Sequence, residues 1–239
     1  MISAIQIRRC TTLPEFHRCV ELQQLVWGES DLETEPYVAF VVANQTGGQV
    51  LGAFDGAKMI GFTMSVVGYR NNAVYLHSHM TGVLAEYRDR KVGRSLKLFQ
   101  REEALSRDIR LVEWTFDPLE TRNAHFNLNR LGAIVRTYIP NFYGITSSPL
   151  HRGIPTDRLL AEWHLDSPRV IAAINNLAPE PPETPVVIRV PKLDPESTVP
   201  VQSRVRSEFQ HWLAKNYAAT SVRFTPDGAD YLLHPWSDF

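Results

Sequence analysis

The sequence predicts an α/β fold followed by a C-terminal α+β extension. Three observations predict it. Hydrophobic periodicity gives the order β-α-α-β-β-β-α-β-α-β-β up to about residue 165. A strand, a tight turn and a strongly basic helix start follow one another over Thr81–Leu96. A proline-dense connection at 179–200 then precedes a new amphipathic stripe.

Each element has a local reason. Ile5 and Ile7 alternate with polar residues, so 3–9 reads as a strand. Thr12 with Glu15 three residues on makes a capping box, and the helix it opens runs from about Pro14 to Trp27, with Phe16, Val20, Leu22 and Val26 inward. Residues 35–43 read as a short helix or as a loop over a pocket. Strands at 50–54 and 59–68 form a hairpin around Asp55-Gly56. Asn71-Asn72 makes the next turn, and 74–84 the next strand. The helix after the basic turn runs to about Arg107. A strand at 109–116, a helix at 120–131 ended by Gly132, and strands at 133–138 and 159–165 complete the series.

Residues 88–101 hold Arg88, Arg90, Lys91, Arg94, Lys97 and Arg101 against Asp89, a local charge of +5 in a chain of net charge −1. Helix starts favour acids, because their free N–H groups already make that end positive. Cations stacked there point to an anion among them, and a strand–turn–helix with Gly93 at its mouth is a phosphate cradle. The alternative is an ordinary turn with a solvated basic face.

Bulk properties narrow the classes. The 239 residues, 44% hydrophobic and 21% charged, are those of a soluble globular protein. The near-neutral balance argues against general nucleic-acid binding, since the cations are local. No apolar run reaches the ~20 residues of a membrane helix. The start, MISAIQIRRC, has no secretory pattern, so a cytoplasmic protein is expected. Cys10 and Cys19 read as buried free thiols, with one disulfide between them as the alternative, and no Cys/His spacing suggests a zinc site.

The basic turn resembles that of the GNAT acyltransferases. Their pyrophosphate loop, Q/R-x-x-G-x-G/A, follows a central strand; here Val83 stands five residues before Arg88, and Arg88-Asp89-Arg90-Lys91-Val92-Gly93 follows. Lys91 stands where the first glycine belongs. A second match is Arg122–Ala133. Against N-x-x-A-x-x-x-Y-x-x-x-G-F, Ala124 and Gly132 fit, Asn123 sits one residue before the alanine, and Leu128 replaces the tyrosine. The look of HSHMTGV, WTFDPLE and HRGIPTDR is similar to a bacterial branch of the family.

The resemblance implies a mixed, mostly antiparallel central sheet flanked by helices, and a coenzyme A-dependent N-acyltransferase. The co-substrate would be acetyl-CoA or another acyl-CoA, with no metal. The partner would be a small-molecule amine, such as an amino acid. Val83, Arg88, Asp89, Arg90, Lys91, Val92, Gly93, Arg94, Ser95 and Asn123 would hold the coenzyme. Two other readings stay open: a coenzyme-binding module without turnover, and a protein lysine or N-terminal acetyltransferase.

Acyl transfer to an amine needs a base and welcomes an acid for the thiolate. His77 and His79 are two apart on one strand, so they are expected to share a face with Thr81 and Val83, and neutral imidazole suits the base. Two half-buried structural histidines are the alternative. Glu113 and Asp117 are further bases, although Asp117 before Pro118 also suits a turn. Tyr138 and Tyr143 are the acid candidates, Tyr143 foremost. Arg122, Arg136, Arg152 and Arg158 are available to a substrate carboxylate or to surface ion pairs.

The expected division is an acyltransferase core at 1–167 and an extension at 168–239. Seven of the sixteen prolines fall in 179–200, a semi-rigid connection, with a strand at 186–190 inside it. Val201, Val205, Phe209, Trp212, Leu213 and Tyr217 then recur at helical spacing, and a hairpin turns at Pro226-Asp227-Gly228. The extension is expected to pack on the core, over the acceptor site or as a homodimer contact.

Overall fold

The computed structural model describes residues 5–28, 34–145, 153–177, 184–194 and 196–236. Met1–Val112 form one compact unit, and Glu113–Thr146 with Ile154–Phe239 the other.

In the first unit, β1 (Gln6–Arg9), β2 (Gln49–Asp55), β3 (Lys58–Arg70) and β4 (Ala73–Val83) make an antiparallel sheet in chain order. Its turns are set locally. Asn71 and Asn72 take φ of 51° and 61°, the left-handed pair that a two-residue hairpin needs. Helix α1 (Leu13–Trp27) opens with the Glu15 carboxylate accepting the Thr11 and Thr12 N–H groups at 2.7 and 3.1 Å. The 35–43 stretch is helical, as α2 (Tyr37–Gln45). Trp27 and Phe40 both meet Phe62 edge-on, so α1 and α2 cover the sheet face that carries Phe62. Helix α3 (Val92–Leu105) covers the opposite face.

The second unit holds most of β5 (Leu111–Phe116), then α4 (Thr121–His125), β6 (Ile134–Ile139), β7 (Arg158–His164), α5 (Pro168–Ile174), β8 (Val186–Pro191), α6 (Thr198–Leu213), β9 (Tyr217–Thr225) and β10 (Gly228–Pro235). Strand order runs β5-β7-β6-β9-β10-β8. The closing hairpin joins this sheet, with Ala219 opposite Val135.

Several details depart from the expectations. The 120–131 helix is α-helical only through His125 and continues as a π-turn over Phe126–Arg130. Gly132 ends it at φ 78°, where a Cβ would stand 2.9 Å from Ala173 Cβ and Val170 Cα. Both the backbone angle and the space therefore require glycine. Tyr217 does not extend the 201–213 stripe: Asn216, at φ 59°, breaks the chain, and Tyr217 begins β9. Helix α5 was not foreseen, though Ser167 before Pro168 is a cap signal, and Ser167 Oγ accepts the Val170 N–H at 3.3 Å.

The expected face of the two histidines is also corrected. Thr63 pairs with Thr81, but Ser65 pairs with Ser78, so β4 carries one extra residue. Thr63 and Ser65 share a face, hence Thr81 shares its face with Ser78 and not with His77. The bulge turns His77 and His79 to the side of α1 and α2, where His79 Nε2 lies 3.3 Å from Glu35 Oε1.

Candidate active site

The end of β4 leads into a 3₁₀ turn at Ala85–Tyr87, then Arg88-Asp89-Arg90-Lys91, then α3. Asp89 and Lys91 are both left-handed, at φ 61° and 63°. Lys91 thus keeps the backbone shape that glycine adopts without strain, at a cost of about 1 kcal/mol. The first intrahelical bond is donated by Ser95 N–H to Lys91 O at 2.9 Å, so Val92 and Gly93 present N–H groups ahead of the ladder. A Cβ on Gly93 would meet only Val83 Cγ2, at 4.0 Å; the mouth of the turn is open.

The cations around this mouth are held in place. Arg88 Nε reaches back to Val83 O at 3.5 Å. The Arg90 guanidinium lies 5.0 Å and Lys58 Nζ 5.4 Å from the centre of the Tyr87 ring. Tyr87 donates to Asp55 Oδ2 at 3.0 Å, and that bond raises its phenol above the usual range. Arg88, Asp89, Arg90, Lys91 and Ser95 are exposed, Gly93 and Arg94 half-buried, and Val92 anchors the turn in the core. The arrangement presents guanidinium groups and helix N–H groups to one anion.

Lys97 is not among them. It is 4% exposed and points into the protein, where its Nζ donates to Ser78 Oγ at 2.8 Å and Gln100 Oε1 at 3.0 Å. Gln100 Nε2 donates to Ser65 Oγ at 2.6 Å, and Gln49 Nε2 to Gln100 O at 3.1 Å. Burial lowers the Lys97 pKa to about 7. The surface charge at the helix start is therefore smaller than the sequence count. The signal for this polar core was present in the spacing of 93, 97, 100 and 104, one helical stripe carrying Lys and Gln among small residues.

His77 is half-buried, and its pKa falls to about 4, through burial first and then the charges of His79 and Lys97. It is neutral at pH 7, with a lone pair to accept a proton. The His77 and His79 rings are 6.3 Å apart. Glu35, missed in the sequence, fixes His79 from the segment before α2.

In the second unit, Tyr143 lies on the β6–β7 loop. Its hydroxyl is 3.2 Å from Thr115 Oγ1, its N–H donates to Thr156 Oγ1 at 2.9 Å, and the Arg158 guanidinium lies over its ring. The loop is fixed by Asp157, whose carboxylate accepts Asn141 N–H at 3.0 Å, Tyr138 OH at 2.5 Å, and two bonds from Arg206 at 2.8 and 2.7 Å. Burial, then Asp157, push the Tyr138 phenol far up; it is a structural group. Asp117 accepts Leu119 N–H at 2.8 Å, the turn role expected of it. Glu113 is buried. Asn123 is exposed on α4. Arg136 is taken by Glu162, at 2.6 Å, and so is not available to a substrate carboxylate. Arg152 lies outside the described residues.

No family model matches the chain, and no curated protein matches it. Solved structures do. The ribosomal-protein-S18-alanine N-acetyltransferase of Escherichia coli superposes with a TM-score of 0.55 at 13% identity, over 69% of this chain and 96% of its own. YncA of Salmonella typhimurium, solved with its cofactor acetyl-CoA, gives 0.56 at 14%, over 69% and 96%. The fold is that of the GNAT acetyltransferases. Naa50 of Arabidopsis thaliana, in complex with the bisubstrate analogue CoA-Ac-MVNAL, shares this GNAT fold with a TM-score of 0.51 at 14% identity, over 66% and 97%.

Proposed function

We propose that the protein is a coenzyme A-dependent N-acyltransferase that moves an acetyl or other short acyl group to the amine of a small molecule. The observation that carries this is the basic turn and open α3 start after β4, in a chain whose fold matches a structure solved with acetyl-CoA. In this reading Val83 and the 88–95 turn bind the coenzyme. The amine nitrogen attacks the thioester carbonyl, the new C–N bond forms and the C–S bond breaks. His77 or His79 takes the ammonium proton, and solvent returns one to the thiolate. Holding the two substrates together supplies much of the rate.

A protein N-terminus is the second acceptor reading. It is favoured by two of the matched structures, a ribosomal-protein acetyltransferase and a complex with a peptide-bearing analogue. Residues 1–167 would be the acyltransferase core and 168–239 an extension, supported by matches that span about two thirds of this chain and nearly all of theirs. The buried free thiols Cys10 and Cys19 favour a reducing compartment such as the cytoplasm.

Isothermal titration with acetyl-CoA, succinyl-CoA and free coenzyme A, beside an Arg88→Ala/Gly93→Trp variant, tests the reading. Binding that the variant weakens at least ~30-fold is expected, about 2 kcal/mol. A folded protein that binds none of the three would end it.

A further inference from the structure

The second unit contains a cleft of about 330 Å³ that the acyl-transfer reading does not use. Three segments converge on it: the start of α4, the end of β8, and the β9–β10 turn. Its apolar lining includes Leu119, Pro191 and Phe224. Phe224 is 51% exposed, a large aromatic surface left to solvent, and the His125 ring packs against it at 5.0 Å.

The polar lining has one sign. Arg122 and Lys192 both line the cleft, and no Asp or Glu does. Neither cation has an ion-pair partner among the described residues. This sets them apart from Arg136, Arg189 and Arg206, each of which is paired to a carboxylate within the same unit. Thr121 and Thr225 add hydroxyls that are likewise unengaged among the described residues.

Two uncommitted cations beside an exposed aromatic ring suit an anion joined to a flat apolar body. The volume lies at the small end of ligand clefts and has room for one ring and one anionic group. We propose that this cleft binds a small aromatic carboxylate, with the carboxylate between Arg122 and Lys192 and the ring against Phe224.

Titration of the full chain with phenylacetate and with its neutral analogue phenylacetamide tests this without any acyl donor, so its failure is separate from failure of the acyltransferase reading. Phenylacetate is expected to bind with a dissociation constant on the order of 1 mM or tighter. The amide should bind at least about tenfold more weakly. An Arg122→Gln/Lys192→Gln variant should lose at least about tenfold in affinity for phenylacetate at unchanged melting temperature. Saturating coenzyme A should leave phenylacetate binding unchanged. The proposal is overturned by no saturable binding up to about 20 mM, by equal affinity for acid and amide, by full retention in the double variant, or by displacement with coenzyme A.

Discussion

Two buried polar clusters, one in each unit, solve the same problem in different ways. In the first unit, the Lys97 ammonium is met by the Ser78 hydroxyl and the Gln100 amide oxygen, with Gln49 and Ser65 completing the chain. In the second, the Asp157 carboxylate is met by a two-pronged guanidinium, a phenol and a backbone N–H. In the second cluster the carboxylate bonds hold the Arg206 guanidinium above its usual range, whereas burial draws the lysine toward its neutral form near pH 7. The first cluster is therefore sensitive to protons. The second is sensitive to loss of a partner.

The largest expected effect is on the second cluster. Arg206→Ala leaves a carboxylate with no exposed side chain facing only neutral donors, and should cost about 3 kcal/mol in urea denaturation. The loss should also loosen the loop that presents Tyr143, seen as faster amide exchange over 139–144. A cost under about 1 kcal/mol would mean the pair is no more than a surface bridge.

A smaller effect is expected at Lys97, and its sign depends on pH. The folded pKa of about 7 lies below the ordinary lysine value. Between about pH 7 and 10 the unfolded chain then binds more protons, so wild-type stability rises with pH across that window. Below pH 7 this contribution is flat and unfavourable. Lys97→Met should be the more stable protein at pH 6 by about 1–2 kcal/mol, and the gap should close toward pH 9. Parallel pH profiles for the two proteins would break the contrast between the clusters.

The smallest effect is at the turn above the first cluster. Lys91→Gly relieves a left-handed lysine and should stabilise by up to about 1 kcal/mol, read as a small rise in melting temperature. Coenzyme A titration of the same variant separates backbone shape from charge: unchanged affinity assigns Lys91 to shape alone, and a several-fold loss shows that its ammonium meets the phosphates.

Much of the fold was legible in order along the chain. The Thr12–Glu15 box, the Asn71-Asn72 turn and Gly132 as a helix stop are local signals, and each works within a few residues of itself. The basic turn was legible for the same reason: a helix start announces its charge pattern over one turn. The histidine face was misread, because strand alternation holds only while pairing is regular, and one unpaired residue in β4 reverses it. Glu35 was missed because it lies 44 residues from the histidine it fixes.

The sequence by itself determined the order of helices and strands, the turns between them, and a cationic helix start after the fourth strand. Those follow from backbone preferences and hydrophobic period, which act locally. The tertiary structure alone decided that Lys97 leaves the basic group for the core, that Asp157 joins Tyr138 to Arg206, and that Arg122 and Lys192 converge on one cleft. Each of these depends on which distant segment is nearby, and burial, not residue type, then sets what the charge can do.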